Sequence, residues 1–367
     1  MLDGVVGIFN NHRMEEEFVA VEHKSPYFAN ATKLEWFIGL ECNFSCTYCA
    51  EFNRSGFAET EKIMKGVDLL RERVGNRDIE LLLGGGEPSI HPEVEKICAH
   101  IHSRNINLSM VTNGAKSPQL YVRLLKYVKH FTFSLHLEMA YERTMETIFA
   151  VNQEINEYRK RGEERSVLVH LMMAAGHFDE AREAMKRFDE AGVRYILRRI
   201  RPLFDESDKP ILPKKVSDRP VVQRDYTRQD LSGKDWGYYS QEELDFMNSM
   251  HGTMKQNSRE FWRTTDGRIE VRESNANEIL MRKDNRFEGW ECYVGIERLH
   301  IYPNGDVYRS TCKVGGKLGN IYEDFTFPKK PIICDRKRCT CAWAVNLSKY
   351  KNPEFKSNLR VENSATI

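Results

Sequence analysis

The chain has 367 residues, more than the roughly 100–200 of a single domain, so one large domain and a smaller one are expected. Apolar residues make up 41% and charged residues 30%, and no apolar run approaches the ~20 residues of a membrane helix, so no spanning segment is expected. With 55 basic and 54 acidic residues mixed along the chain and a net charge of +1, there is no electrostatic footprint for nucleic acid or for anionic membrane, and both are disfavoured as partners.

The first residues, MLDGVVGIFNNHR, lack the basic segment and apolar stretch of a secretory signal, so a cytoplasmic location is the expectation. Nine cysteines in a reducing compartment point to metal binding or catalysis before disulfides.

Residues 1–33 read as an N-terminal extension. From 34 to 205 strand and helix patterns alternate, and six strand candidates begin at Leu34 (LEWFIGL), Ile79 (IELLL), Ile106 (INLSMV), Phe131 (FTFSL), Val167 (VLVHLM) and Tyr195 (YILRRI). Between them, Val94, Ile97, Cys98 and Ile101 behind Pro92, and Ala181, Ala184, Met185 and Phe188, recur at the three-and-four spacing of a helix with one buried stripe. Cys98 therefore reads as a core residue. Strands alternating with helices imply an α/β fold with a parallel sheet and right-handed crossovers, and six units suit an open, partial (β/α)6 barrel better than a full eight-unit one. In parallel barrels chemistry sits at the C-terminal ends of the strands, so the residues just after each strand are the candidates.

Residues 206–285 read as a polar connector with a helical patch at SQEELDFMNSM and a hairpin at RTTDGRIEV. Residues 286–348 hold five of the nine cysteines among short strands and turns, and form a smaller, cysteine-rich domain. Residues 349–367 are a polar tail.

Directly after the first strand, ECNFSCTYC places Cys42, Cys46 and Cys49 in one loop at the proposed barrel mouth. A four-iron cluster normally takes four cysteines, so three local ones leave one iron open to another ligand. Zinc is the competing reading, although it usually needs a fourth protein ligand and paired spacings unlike these. After the second strand come Gly84, Gly85, Gly86, Glu87 and Pro88, where glycines permit close backbone approach to a ligand and a carboxylate can accept from an ammonium. Thr112, Asn113 and Gly114 follow the third strand, and Ser134 and His136 lie at the end of the fourth.

Cys42-x3-Cys46-x2-Cys49, with Tyr48 before the last cysteine, resembles the signature of the radical S-adenosylmethionine superfamily, and Gly84–Pro88 is similar to the family's glycine-rich motif that contacts the methionine amino group. The resemblance covers roughly residues 34–201. It implies a 4Fe-4S cluster on the triad, with S-adenosylmethionine as cosubstrate contacted by Gly84, Gly85, Gly86, Glu87, Pro88, Asn113, Ser134, His136 and Arg199. Arg198 and Arg201 compete with Arg199 for the cosubstrate carboxylate, and His170 and Met172 face the mouth or the core depending on register. A flavodoxin- or ferredoxin-type reductant is implied.

Cys292, Cys312, Cys334, Cys339 and Cys341 resemble the family's auxiliary-cluster extension, the twitch or larger SPASM domain. The sequence departs from the full SPASM pattern, because Gly305 stands seven residues before Cys312 and five cysteines are too few for two auxiliary clusters. One auxiliary 4Fe-4S cluster is expected, with one cysteine left over that the sequence does not choose, and structural zinc is the alternative. Arg336, Lys337 and Arg338 could offset cluster charge or form a solvated turn.

The resulting expectation is a radical enzyme that abstracts hydrogen from a C–H bond, oxidising a small polar, sugar-type substrate with help from the auxiliary cluster. Only about 33 residues precede the first strand, too few for a leader-peptide-binding domain, which sets a peptide substrate second. The alternatives are a ribosomal-peptide maturase, an epimerase using the spare cysteine as hydrogen donor, and a non-catalytic iron-sulfur electron carrier.

Overall fold

The computed structural model describes residues 16–24, 31–46, 48–49, 56–200, 203–204, 210–211, 239–250, 257–282, 284–339 and 342–352. In chain order the elements are β1 (Glu17–His23), β2 (Ala31–Gly39), α1 (Thr60–Val74), β3 (Asp78–Gly85), α2 (Val94–Ser103), β4 (Asn107–Thr112), α3 (Pro118–Leu124), β5 (Val128–His136), α4 (Tyr141–Lys160), β6 (Ser166–Met173), α5 (Phe178–Glu190) and β7 (Tyr195–Arg199). There follow a small pair, β8 (Leu203–Phe204) and β9 (Pro210–Ile211), then α6 (Gln241–Ser249), β10 (Ser258–Arg263), β11 (Ile269–Ser274) and α7 (Ala276–Met281). The C-terminal elements are β12 (Glu291–Cys292), β13 (Leu299–Ile301), β14 (Asp306–Tyr308), β15 (Lys317–Asn320), β16 (Asp324–Phe325), β17 (Ile332–Ile333), α8 (Ala342–Val345) and β18 (Lys349–Tyr350).

The six strands from β2 to β7 pair in sequence order and in parallel, joined by helices, which is the partial (β/α)6 barrel of the expected α/β class. Alternation along each strand explains the layering. Ile79, Leu81 and Leu83 of β3, Phe131, Phe133 and Leu135 of β5, and Val167, Val169, Leu171 and Met173 of β6 are buried in one apolar core. That core takes the helix stripes, including Val94, Ile97, Cys98 and Ile101 of α2, so Cys98 is a core residue. The other face of these strands carries Glu80, Thr132, Ser134, His136, His170 and Met172.

The chain separates into two compact units whose segments interleave. Described residues within 31–250 and 295–329 make one; those within 16–24, 257–294 and 330–352 make the other. This differs from the division at 205 and 286 read from the sequence. β13 pairs in parallel with β2, and β14, β15 and β16 continue the barrel sheet to ten strands, so 299–325 belongs to the barrel unit. In the second unit β1 is no loose extension: it is central in a six-stranded antiparallel-paired sheet, between β10 and β18. The hairpin expected at RTTDGRIEV is β10–β11, and its place beside β1 takes residues 258–274 out of the connector. Most of 206–238 and the tail beyond Asn352 lie outside the described residues. Among the described residues no helix is long and apolar enough to cross a membrane.

Candidate active site

The cysteine loop leaves and returns at the end of β2. Gly39 bridges to Phe57, and the Ala58 N–H donates to the Ile38 carbonyl at 2.9 Å. Inside the loop the Cys49 N–H donates to the Cys46 carbonyl at 3.2 Å, while Cys46 is buried, Cys42 half-buried and Cys49 exposed. Burial, then the neighbouring Cys49, Glu138 and Cys42, push the Cys46 thiol up. The Cys46 thiol thus feels the charge of both other cysteines, and a cationic group beside it would favour its thiolate. This donor set fits a thiolate-ligated cluster. Among the described residues no three His, Cys, Asp or Glu side chains surround a single-ion position.

His136, at the end of β5, supports the loop. Its Nδ1 lies 3.3 Å from Cys46 Sγ and 2.8 Å from the Tyr48 hydroxyl, and the Tyr48 ring stacks on the imidazole at 5.9 Å. Phe44 meets the same ring edge-on at 5.8 Å. Burial lowers the His136 pKa to about 4.

The glycine run serves the stem of this loop. A Cβ on Gly85, whose φ is +121°, would stand 2.2 Å from the Gly39 carbonyl oxygen, and one on Gly86 would stand 2.1 Å from that of Glu41. Only glycine allows this approach, which two hydrogen bonds secure: Gly86 N–H to Gly39 at 3.0 Å and Glu87 N–H to Glu41 at 2.8 Å. Besides the ligand approach expected of the run, two of its glycines close on backbone.

Glu87 has partners within the protein as well. It is 1% exposed, and its Oε1 accepts from Ser89 N–H at 2.9 Å and Thr112 Oγ1 at 2.7 Å, while Oε2 accepts from Asn113 N–H at 2.5 Å. Burial raises its pKa against these donors. The carboxylate thus ties the turn after β3 to the Thr112–Asn113–Gly114 turn after β4, and Pro88 opens a single 3-10 turn, Pro88–Ile90. Asn113 Nδ2 reaches Asn43 Oδ1 at 2.8 Å and Cys42 Sγ at 3.7 Å. Asn43, Ser89 and Thr144 were not singled out from sequence; Ser, Thr and Asn beside turns are too common to stand out.

Across β5, β6 and β7 the register sets Ser134 beside His170 and Ile196, and His136 beside Met172 and Arg198. Arg198 Nη2 lies 3.2 Å from His170 Nε2. Burial lowers the Arg198 pKa to about 10, and burial with the nearby guanidinium holds His170 well below 6.5. Among the described residues no carboxylate pairs with Arg198. Arg199 points elsewhere: its guanidinium sits 5.5 Å over the Tyr239 ring, on the Leu197 side of β7. The Tyr239 hydroxyl closes that side, accepting from Ile200 N–H at 2.7 Å and donating to the Met173 carbonyl at 2.8 Å. Arg198, not Arg199, shares the inner face, and Arg201 lies outside the described residues.

In the second unit Cys292, Cys334 and Cys339 are all buried and hang on residues 285–292. Cys292 pairs with Ile332 across β12–β17, Cys334 N–H donates to the Trp290 carbonyl at 2.8 Å, and Cys339 N–H donates to that of Asn285 at 2.8 Å. Cys341 lies outside the described residues. Cys312 belongs to the barrel unit, where it follows β14 and precedes Lys313, a residue at φ +54°.

Cysteines on the loop after the first barrel strand and a glycine turn after the second define a radical SAM domain. Residues 36–212, just under half of the chain, match the family model of the Radical SAM superfamily, which implies S-adenosylmethionine and a 4Fe-4S cluster for that domain. A protein of Thermococcus kodakarensis described as "Probable GTP 3',8-cyclase" is 31% identical over 98 residues, 26% of this chain and 31% of that protein. A Pyrococcus abyssi protein with the same description is 33% identical over 88 residues, 23% of this chain and 27% of its own. The chain thus spans under a third of these relatives. Among solved structures, SuiB of Streptococcus suis bound to S-adenosylmethionine is similar at TM-score 0.48 and 13% identity, over 80% of this chain and 64% of SuiB. A structure of anSMEcpe with bound AdoMet is similar at TM-score 0.45 and 17% identity, over 81% and 76%.

Proposed function

We propose that the chain holds a 4Fe-4S cluster on Cys42, Cys46 and Cys49, binds S-adenosylmethionine beside it, and removes hydrogen from a C–H bond of a small polar substrate in a net oxidation. The observation that carries this reading is the meeting of the cysteine loop, the Gly84–Pro88 turn, Asn113 and His136 at adjacent strand ends. When bound and reduced by one electron, the cluster and S-adenosylmethionine supply a 5'-deoxyadenosyl radical. The protein's part is positional. Gly85 and Gly86 hold the loop stem between Gly84, packed on Phe37 of β2, and Pro88, which opens the following turn, and Glu87 locks the two turns together. Ser134 offers a polar contact on the inner face. Arg198 presents a charge suited to the cosubstrate carboxylate, and the apolar rings of Phe44 and Tyr48 help keep water from the reacting centre.

Cys292, Cys334, Cys339 and Cys341, with Cys312 as the fifth candidate, would carry one auxiliary 4Fe-4S cluster as electron acceptor, and a flavodoxin- or ferredoxin-type protein would be the reductant. The relatives described as "Probable GTP 3',8-cyclase" carry a description that names a nucleotide substrate, which supports a small, sugar-bearing substrate over a peptide.

The test is anaerobic iron and sulfide quantification on wild type and the Cys42/Cys46/Cys49 triple alanine variant, with 5'-deoxyadenosine measured beside it. About eight irons falling to about four, with 5'-deoxyadenosine lost, is the expected result. Clusters intact in the wild type with no S-adenosylmethionine cleavage under strong reductant would leave an electron carrier instead.

A further inference from the structure

We propose that Asn113 donates a hydrogen bond to the Cys42 thiolate, that Glu87 holds it there through the Asn113 backbone, and that the two residues thereby set the reduction potential of the triad's cluster. The inference rests on the reading of Cys42, Cys46 and Cys49 as cluster ligands.

Every polar atom of Asn113 is engaged. Its N–H donates to Glu87 Oε2, its carbonyl accepts from Thr144 Oγ1 at 3.0 Å, and its Oδ1 accepts from Ala115 N–H at 3.0 Å. Two amide hydrogens remain, and Nδ2 has two acceptors, Asn43 Oδ1 at 2.8 Å and Cys42 Sγ at 3.7 Å. The opposite flip of the amide would set its oxygen against Asn43 Oδ1 and the sulfur, and its NH2 against the Ala115 N–H, so the network fixes which end faces Cys42. The resemblance made Asn113 a cosubstrate contact; its side chain also meets the loop.

Hydrogen bonds to ligating sulfurs favour the more negative, reduced form of a cluster and raise its potential. Cys42 receives two such donors, Asn113 Nδ2 and the Phe44 N–H at 3.4 Å. Glu87 is a positioning residue. It has no contact with sulfur, but without its carboxylate the Asn113 N–H is a buried donor lacking its acceptor, and the turn that aims the amide loses its anchor.

The experiment is an EPR-monitored redox titration of the triad cluster in the full chain, with iron and sulfide counted, for wild type, Asn113→Leu, Glu87→Gln and the double variant. Leucine keeps the size of asparagine and removes its donors. The expected result is a midpoint shifted to more negative potential in Asn113→Leu at unchanged iron content, and a smaller shift of the same sign in Glu87→Gln. The double variant should fall no lower than Asn113→Leu, because both substitutions act through one donor. Should leucine block iron uptake, Asn113→Ala is titrated with the same expectation. A wild-type midpoint in an iron-loaded Asn113 variant, or a Glu87→Gln shift that adds in full to the Asn113 shift, overturns the proposal. Wild-type protein whose iron content equals that of the triple alanine variant removes the ligand reading itself, a result separate from an unmoved midpoint.

Discussion

Arg198 and His170 face each other across β6 and β7 with 3.2 Å between Nη2 and Nε2, whereas Arg199, one residue on, lies over Tyr239 on the opposite side of the sheet. A guanidinium withdrawn from water without a carboxylate is costly unless an anion completes it. Arg198→Met should therefore weaken S-adenosylmethionine binding about 10- to 100-fold, the effect of losing a charged hydrogen bond of roughly 1.5–3 kcal/mol. Arg199→Met should change it less than about threefold, within the ~0.5 kcal/mol of a substitution away from the ligand. Equilibrium binding to the anaerobically reconstituted protein checks this, and equal losses in the two variants would refute the assignment of faces.

The same pair makes stability depend on pH with a defined sign. His170 is held neutral in the fold by burial and by Arg198, while in the unfolded chain it titrates near its usual ~6.5. Below that value the unfolded chain binds a proton the fold excludes, so His170 costs stability as pH falls from about 6.5 toward its depressed folded value, and contributes no slope above. Its share approaches about 1.4 kcal/mol per pH unit. Denaturant midpoints of wild type and His170→Gln, followed from about pH 7.5 to about 5.5, should diverge, with the wild type falling more steeply. Parallel curves would show that His170 does not titrate as described.

The contacts of Gly85 and Gly86 predict that neither position accepts a methyl group. A Cβ at either would overlap a carbonyl oxygen of the Cys42 loop stem, at 2.2 Å or 2.1 Å, and both neighbours are backbone that cannot rotate away. Gly85 also sits at φ +121°, where a side chain adds roughly 1–3 kcal/mol of strain. Gly85→Ala and Gly86→Ala should each push the loop off the sheet and lose most of the triad's iron, while Gly176→Ala, which also sits at a positive φ (+82°) but has open space around it, should keep the iron and so separate backbone strain from the clash. Iron counts at wild-type level in both former variants would contradict this account of the glycine run.

How far the sequence reached can be judged at particular residues. The six barrel strands were legible because both faces repeat: Phe131, Phe133 and Leu135 alternate with Thr132, Ser134 and His136, and the helix stripes fall at their own period. Two adjacent arginines at a strand end carry no such signal, since Arg198 and Arg199 fit either face until Tyr239 fixes one of them. Nor could periodicity assign β13, three residues long, to the barrel sheet. That placement depends on pairing 265 positions away, where His300 Nδ1 meets Glu35 Oε2 at 3.1 Å. β1 was read as an extension because Val19, Ala20 and Val21 are buried in succession, as in a strand covered on both faces, without the alternation that marks a half-exposed one.

Lys349 gives the last prediction. It is 1% exposed, lies four residues beyond the end of α8, and pairs with Cys292 across β12–β18. Its Nζ donates to the carbonyls of Ala344, Val345 at 3.2 Å and Leu347 at 2.9 Å, and lies 4.8 Å over the Phe287 ring. These are carbonyls at a helix end, which need donors when buried, and an ammonium also complements the negative end of the helix. Lys349→Met keeps the apolar stem and leaves three carbonyls without this donor, at roughly 1–3 kcal/mol each before relaxation. The segment that follows Cys339 should then loosen, and reconstituted iron should fall from about eight to about four per chain, with the Cys42, Cys46 and Cys49 share and its 5'-deoxyadenosine formation retained. Lys349→Met with full iron and unchanged thermal unfolding would show that the ammonium does not hold this segment. Loss of the triad's iron as well would show that the damage reaches beyond the unit in which Lys349 lies.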